Sequence, residues 1–334
     1  MLCLPIMIVA FLSCETADKK KSKMDSETES MVGDMDLLQI LNGKIVEDSS
    51  NENLYHERAK LLILDNKLDE AANDMNRSIK LDSLVSAFHV TRAEISIRQG
   101  NLALAKTSYD RAVGIDPNNE DAHLKLALYH LGLKDYKEAI KSADNGLKLN
   151  VNNSKTYFIK GRVFLAAGDT TKAMSSFQTA IEMEPDFFEA YQLLGLLYSE
   201  KNDDLAINYY RSALEIKPND IKALYGKGHF EMKMNEKTKA MDTFRKITSL
   251  NSSDPIPYYN IGYLHMSDNQ IDSSIFYFGL AIDKSPDYFQ ALYNRGLCYE
   301  AQENFELSVN DYKEALNIKP DYSLAIEGLN RLEK

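Results

Sequence analysis

The sequence predicts an all-α chain of stacked helix hairpins, and three observations carry that prediction. Segments beginning at Glu52, Ser86, Glu120, Ser154, Phe188, Ile221, Pro255 and Phe289 follow one another every 34 residues, with a single 33 in the segment from Phe188. The eighth residue of every segment is small: Ala59, Ala93, Ala127, Gly161, Gly195, Gly228, Gly262, Gly296. Turn residues such as "QGN", "AGDT" and "SDNQ" break each segment near positions 14 to 17. A fixed period of this length marks a repeat architecture.

In chain order, residues 1–13 come first. Leu2 to Phe11 form an apolar run long enough for a secretory signal and too short to span a bilayer. Ser13 then precedes Cys14. The segment "FLSC" resembles the lipobox of bacterial lipoproteins, and the resemblance implies that Cys14 is acylated (palmitate among the chains) after cleavage. The other reading is a plain signal peptide cut near Ser13. Two or more acyl chains anchor a protein stably. Residues 14–35, "CETADKKKSKMDSETESMVGDM", hold too few hydrophobes to order themselves. They read as a tether with a reach of roughly 25 Å. Lys19, Lys20, Lys21 and Lys23 would lie near the bilayer, each adding about 1 kcal/mol against anionic lipid, or would simply keep the tether solvated.

Residues 36–51 place Leu37 and Leu41 where positions 20 and 24 of a preceding repeat would fall, which predicts a lone N-terminal capping helix. Residues 52–322 hold the eight repeats. Position 20 is again small: Ala71, Ala105, Ala139, Ala173, Ala240, Ser274 and Ser308, with Ala206 one place early. Position 24 is mostly large: Met75, Tyr109, Ala143, Phe177, Tyr210, Phe244, Phe278, Tyr312. Small residues predict close backbone approach at positions 8 and 20, and large ones fill the wider gaps. Pro117, Pro185, Pro218, Pro286 and Pro320 stop second helices, since proline cannot continue the ladder. A short turn makes the two helices antiparallel, and one hairpin cannot hide its apolar face alone, so hairpins must stack. Residues 323–334 predict a C-terminal capping helix, leaving no residues over for a catalytic domain.

These columns resemble the tetratricopeptide repeat. The resemblance implies a right-handed α-α superhelical solenoid whose first helices line a concave groove through positions 2, 5, 9 and 12. Carried onto this chain, those positions give Leu124, Leu128, Lys155, Phe158, Arg162 and Leu165 in repeats 3 and 4. In repeats 6 to 8 they give Tyr225, His229, Met232, Tyr259, Tyr263, Met266 and Tyr293. Aromatic residues, Met and Arg dominate protein interfaces. The candidate partner-binding groove is therefore Tyr225, His229, Tyr259, Tyr263 and Tyr293, with a competing basic site at Lys155 and Arg162. Tyrosine at position 5 also suits repeat packing. Asn260 and Asn294 match part of the clamp by which some relatives grip a C-terminal carboxylate, but Tyr225 and Tyr259 stand where a lysine is expected.

Composition narrows the function. A net charge of −11 opposes nucleic-acid binding. Three cysteines, Cys3, Cys14 and Cys298, exclude a disulfide framework. His89 and His123 occupy the aromatic slot at position 4, and no "HExxH" occurs, so no metal, cofactor or catalytic residue is expected. The expected function is a non-catalytic, lipid-anchored scaffold. It would sit in the bacterial cell envelope, at the outer membrane, binding protein segments and assisting assembly of an envelope complex. Two alternatives stand beside it: a glycan-binding module using the groove tyrosines, and an accessory subunit of an envelope enzyme.

Overall fold

A computed structural model describes residues 37–332. Cys3, Cys14, the leader and the tether lie outside the described residues, as do residues 333–334. Among the described residues the regular structure is entirely helical, and the chain divides into two units.

The first unit runs to Val151. It holds α1 (residues 37–47), α2 (Glu52–Leu64), α3 (Leu68–Leu81), α4 (Ser86–Arg98), α5 (Leu102–Ile115), α6 (Glu120–Gly132) and α7 (Tyr136–Leu149). On α1, Leu41 is buried whereas Leu37 stays 48% exposed. The second unit starts at Asn152. It holds α8 (Ser154–Ala166), α9 (Thr170–Met183), α10 (Phe188–Glu200), α11 (Leu205–Ile216), α12 (Ile221–Lys233) and α13 (Lys237–Leu250). It continues with α14 (Pro255–Ser267), α15 (Ile271–Lys284), α16 (Phe289–Ala301), α17 (Phe305–Ile318) and α18 (Ser323–Leu332). Within each unit every helix from α2 onward packs on the next one in sequence.

The first helix of each repeat covers positions 1–13, and the second covers 17–30 in all but one. The exception is α11, only 12 residues long, which absorbs the one-residue deletion. Between them, position 15 is left-handed in all eight repeats: Asn66, Gly100, Lys134, Gly168, Asn202, Asn235, Asn269 and Glu303 have φ from 56 to 84°. The amide of the next residue reaches back five places, as in Lys67 N–H to Leu62 O at 2.8 Å and Asp135 N–H to His130 O at 2.9 Å. This closes the last turn of the first helix by a Schellman-type bond. Gly and Asn enter the left-handed region easily, whereas Lys134 and Glu303 do so at a cost of about 1–2 kcal/mol.

Position 8 works differently from the simple backbone approach expected of it. A Cβ on Gly161 would lie 2.5 Å from the Phe177 ring, on Gly262 2.8 Å from Phe278, and on Gly296 2.8 Å from Tyr312. The small residue in the first helix makes room for the position-24 ring of its own repeat. Position 4 also has a fixed task. Tyr55 donates to Ser49 O at 3.2 Å, and His89 and His123 reach Ser83 O at 3.0 Å and Pro117 O at 2.9 Å through Nε2. Each ties down a carbonyl six residues back, a structural use of the two histidines. Among the described residues, no three His, Cys, Asp or Glu side chains are grouped to hold a metal. Cys298 is buried, and burial pushes its thiol up to about 11.

One buried ring makes the first unit acid-sensitive. His56 on α2 stands edge-on to Phe88 at 4.9 Å, with Nε2 2.9 Å from Thr91 Oγ1. Burial, helped by Lys60, lowers its pKa to about 4, whereas the unfolded value is about 6.5. The folded pKa is depressed, so the neutral ring's stabilisation is whole above about pH 6.5 and is lost as pH falls towards 4. Between about pH 7 and about pH 4, wild type should lose on the order of 3 kcal/mol more than His56→Gln in urea unfolding followed at α2–α4. Parallel losses in both proteins would show that His56 does not titrate on unfolding.

Candidate functional site

All seven candidate groove residues fall in the second unit, on the first helices α8, α12, α14 and α16. Their surroundings divide them into two kinds.

Tyr225, Tyr259 and Tyr293, at position 5, are half-buried rings with partners inside their own repeat. Tyr259 lies 5.6 Å from Phe278 at position 24 and 5.0 Å from Tyr288 at position 34. Tyr293 repeats this with Tyr312 at 5.6 Å and Tyr322 at 5.4 Å. Phe158 does the same in repeat 4, with Phe177 at 5.5 Å and Phe187 at 4.8 Å. Where position 34 is an acid, a hydrogen bond replaces the ring: Tyr225 O–H donates to Asp254 Oδ2 at 2.7 Å, and Gln192 Nε2 donates to Asp220 Oδ1 at 3.1 Å. Asn294 Nδ2 donates to the Tyr259 hydroxyl at 2.9 Å. Burial raises the pKa of all three tyrosines. These rings hold the second helix and the following turn against the first helix.

Tyr263, His229, Lys155 and Arg162 are the accessible members. Tyr263 is 44% exposed. His229 is exposed and stacks on Tyr225 at 5.9 Å and 17°. Lys155 is exposed. Arg162 is half-buried, burial alone lowers its pKa, and among the described residues its guanidinium has no hydrogen-bond or ion-pair partner.

By contrast, three cations at position 7 are paired with acids, and Arg92 at the same position has a hydroxyl partner, Ser108 Oγ at 2.9 Å. Arg58 and Arg295, at position 7, form two-pronged bonds to Asp74 (2.7 and 2.6 Å) and Asp311 (2.8 and 2.8 Å), both at position 23. Lys227, also at position 7, reaches Glu231 Oε1 at 2.6 Å and Thr243 Oγ1 at 2.8 Å. Sequence reasoning missed these 7–23 pairs. The readable signal was a basic column at position 7, opposite an acid or hydroxyl sixteen residues later.

Comparison with known proteins follows the same period. Profiles described as tetratricopeptide repeat match residues 56–120, 98–150, 158–221, 221–254, 257–288 and 289–322, most of the chain. The chain belongs to the tetratricopeptide repeat family. Among curated relatives, BBSome complex member BBS4 of Bos taurus is 24% identical over 230 residues, 67% of this chain and 44% of its own length. DnaJ homolog subfamily C member 3 of Rattus norvegicus is 21% identical over 332 residues, covering 90% of this chain and 66% of itself. The chain thus spans less than two thirds of either relative. A solved structure of the C-terminal part of a repeat protein from Cytophaga hutchinsonii superposes with a TM-score of 0.63 at 19% identity, covering 71% of this chain and 98% of that one. It shares the fold.

Proposed function

We propose that this tetratricopeptide repeat chain is a non-catalytic scaffold, lipid-anchored through Cys14 at the outer membrane of a bacterial envelope. It binds protein segments along the first-helix face of its second unit and assists assembly of an envelope complex. The repeat fold supplies the scaffold, and the observation that carries the binding reading is Arg162. A half-buried guanidinium without an acceptor is unfavourable by itself, and an acidic segment would supply one in two-pronged form. Lys155, two turns away on α8, lies within reach of the same segment. A curated relative named as the member of a complex supports the assembly role.

The test uses the tagged full chain in envelope-bearing cells, with crosslinking and mass spectrometry. Wild type should sediment with membranes and capture one or a few proteins. Cys14→Ala should release it into the soluble fraction. Lys155→Glu with Arg162→Glu should reduce capture roughly tenfold or more, while Tyr263→Ser gives a smaller loss. Undiminished capture by the charge-reversed chain would move recognition to the aromatic members. Unchanged sedimentation of Cys14→Ala would refute the anchor.

A further inference from the structure

The first unit contains a cleft that none of the preceding roles uses. It is an open cleft of about 370 Å³ bounded by α5, α6 and α7 and lined by Lys106, Asp110, His123, His130, Asp135, Glu138 and Lys141, among others. His123 and His130 lie seven residues apart on α6, each only 6% exposed. His123 is engaged with the Pro117 carbonyl. His130 is different: its Nδ1 is buried and has no hydrogen-bond partner. The nearest carboxylate oxygen, Asp135 Oδ2, is 3.8 Å away, too far for a hydrogen bond. The other oxygen of Asp135 accepts the Glu138 amide at 3.3 Å and caps α7.

The charges around this pair leave a deficit. On α5, Lys106 is taken by Asp110 at 2.6 Å, and on α7, Lys141 is taken by Glu138 at 3.1 Å. Asp135 has no lysine or arginine partner among the described residues. Burial lowers the pKa of His130 against the opposing pull of Asp135, and so favours the neutral ring. With the ring proton on Nε2, Nδ1 offers a lone pair. Two acceptors 3.8 Å apart can share one donor atom at ordinary hydrogen-bond distance from each, provided that atom carries two hydrogens. The cleft is also far larger than the share of about 30 Å³ that one water takes.

We propose that the α5–α6–α7 cleft binds a primary ammonium group, which donates to His130 Nδ1 and Asp135 Oδ2 together. An ammonium satisfies the orphaned nitrogen and supplies the positive charge that Asp135 lacks, which a water does not. The alkyl chain behind it would run along Val113 and Leu126, the apolar part of the lining. The same chemistry is presented by a lysine side chain of a bound peptide or by a free alkylamine. This site lies in the first unit and stands independently of the Arg162 face.

The experiment follows the His130 ring of the full chain by NMR during titration with ethylammonium, with N-acetyl-lysine methylamide and with tetramethylammonium. Ethylammonium or the lysine amide should shift the His130 signals saturably in the millimolar range or tighter and lower its apparent pKa further. Response to both identifies any primary amine as ligand, and response to the lysine amide alone identifies a peptide-borne lysine. Tetramethylammonium, which has no N–H, should leave the ring unchanged. Asp135→Asn keeps a capping side chain on α7 and should weaken binding roughly tenfold or more. His130→Leu, read by calorimetry, should lose binding to the same extent and covers the case in which Asp135→Asn perturbs the helix. Absence of a saturable shift, an equal shift with tetramethylammonium, or undiminished binding by both variants would overturn the proposal and leave a cleft holding water only.

Discussion

Asp311→Ala should destabilise the C-terminal hairpin by about 3 kcal/mol, close to the lower end of what breaking a buried ion pair costs. The carboxylate is buried on α17 and accepts both prongs of Arg295, whose side chain is 22% exposed. Removing the acid strands a guanidinium that is mostly out of water, and its remaining exposure keeps the loss from being larger. Burial raises the Asp311 carboxyl pKa even though Arg295 opposes the shift, whereas the bond to Asp311 raises that of Arg295 despite burial, so desolvation outweighs attraction on the deeply buried acid but not on the part-exposed guanidinium. An apolar replacement of both partners, Arg295→Met with Asp311→Leu, should therefore recover most of the loss. Urea unfolding of the two variants measures both numbers. Repeats couple mainly to neighbours, so hydrogen exchange should place the opening at α16–α18. A loss under about 1 kcal/mol for the single variant would mean the pair behaves as a surface one.

Gly195→Leu should cost up to about 3 kcal/mol, the upper part of the range for overpacking. A Cβ at Gly195 would lie 2.8 Å from Tyr210 Cδ1, and one at Gly226 2.5 Å from Cε1 and Cζ of the same ring. Tyr210 packs against two glycines, on α10 and α12, and takes up the space a side chain would need at either. Cutting the ring back should therefore rescue the variant: Gly195→Leu with Tyr210→Ala should be more stable than Gly195→Leu alone. Without rescue, the clash would lie with something other than Tyr210. Exchange should increase around α10–α12 and leave α2–α5 unchanged.

The period alone made the architecture legible, because a column of eight small residues has only one economical explanation. What those residues face was not legible. Gly161 and Gly262 were expected to admit a neighbouring backbone, and the ring of Phe177 or Phe278 occupies the space instead. Periodicity fixes which positions lie inside, but not which partner fills the room they leave. The tyrosines show the same limit. Tyr259 and Tyr263 share one face of α14 and look alike in sequence, yet only Tyr259 has rings at positions 24 and 34 closing on it. The residue that distinguishes them, Tyr288, lies 29 places downstream of Tyr259, beyond any local pattern. Arg162 was visible as a charge, but that it lacks a partner depends on three-dimensional placement.

Position 34 has a consequence for how such a chain can diversify. Asn119, Asn153, Asp220 and Asp254 at that position cap the following helix, whereas Phe187 and Tyr288 cover the ring behind them and leave α10 and α16 without a side-chain cap. Asp220 and Asp254 serve both neighbours, accepting from Gln192 or Tyr225 behind them while capping α12 or α14, whereas an aromatic at this position serves only the ring. Positions 5, 24 and 34 all fall inside one 34-residue segment. Duplicating or transplanting a whole segment therefore carries its ring set intact, while a recombination point inside a segment would separate a lid from its ring. Inheritance by whole segments keeps such a lineage viable, and a lone substitution at position 5 or 34 would be expected to persist only when its counterpart changes too.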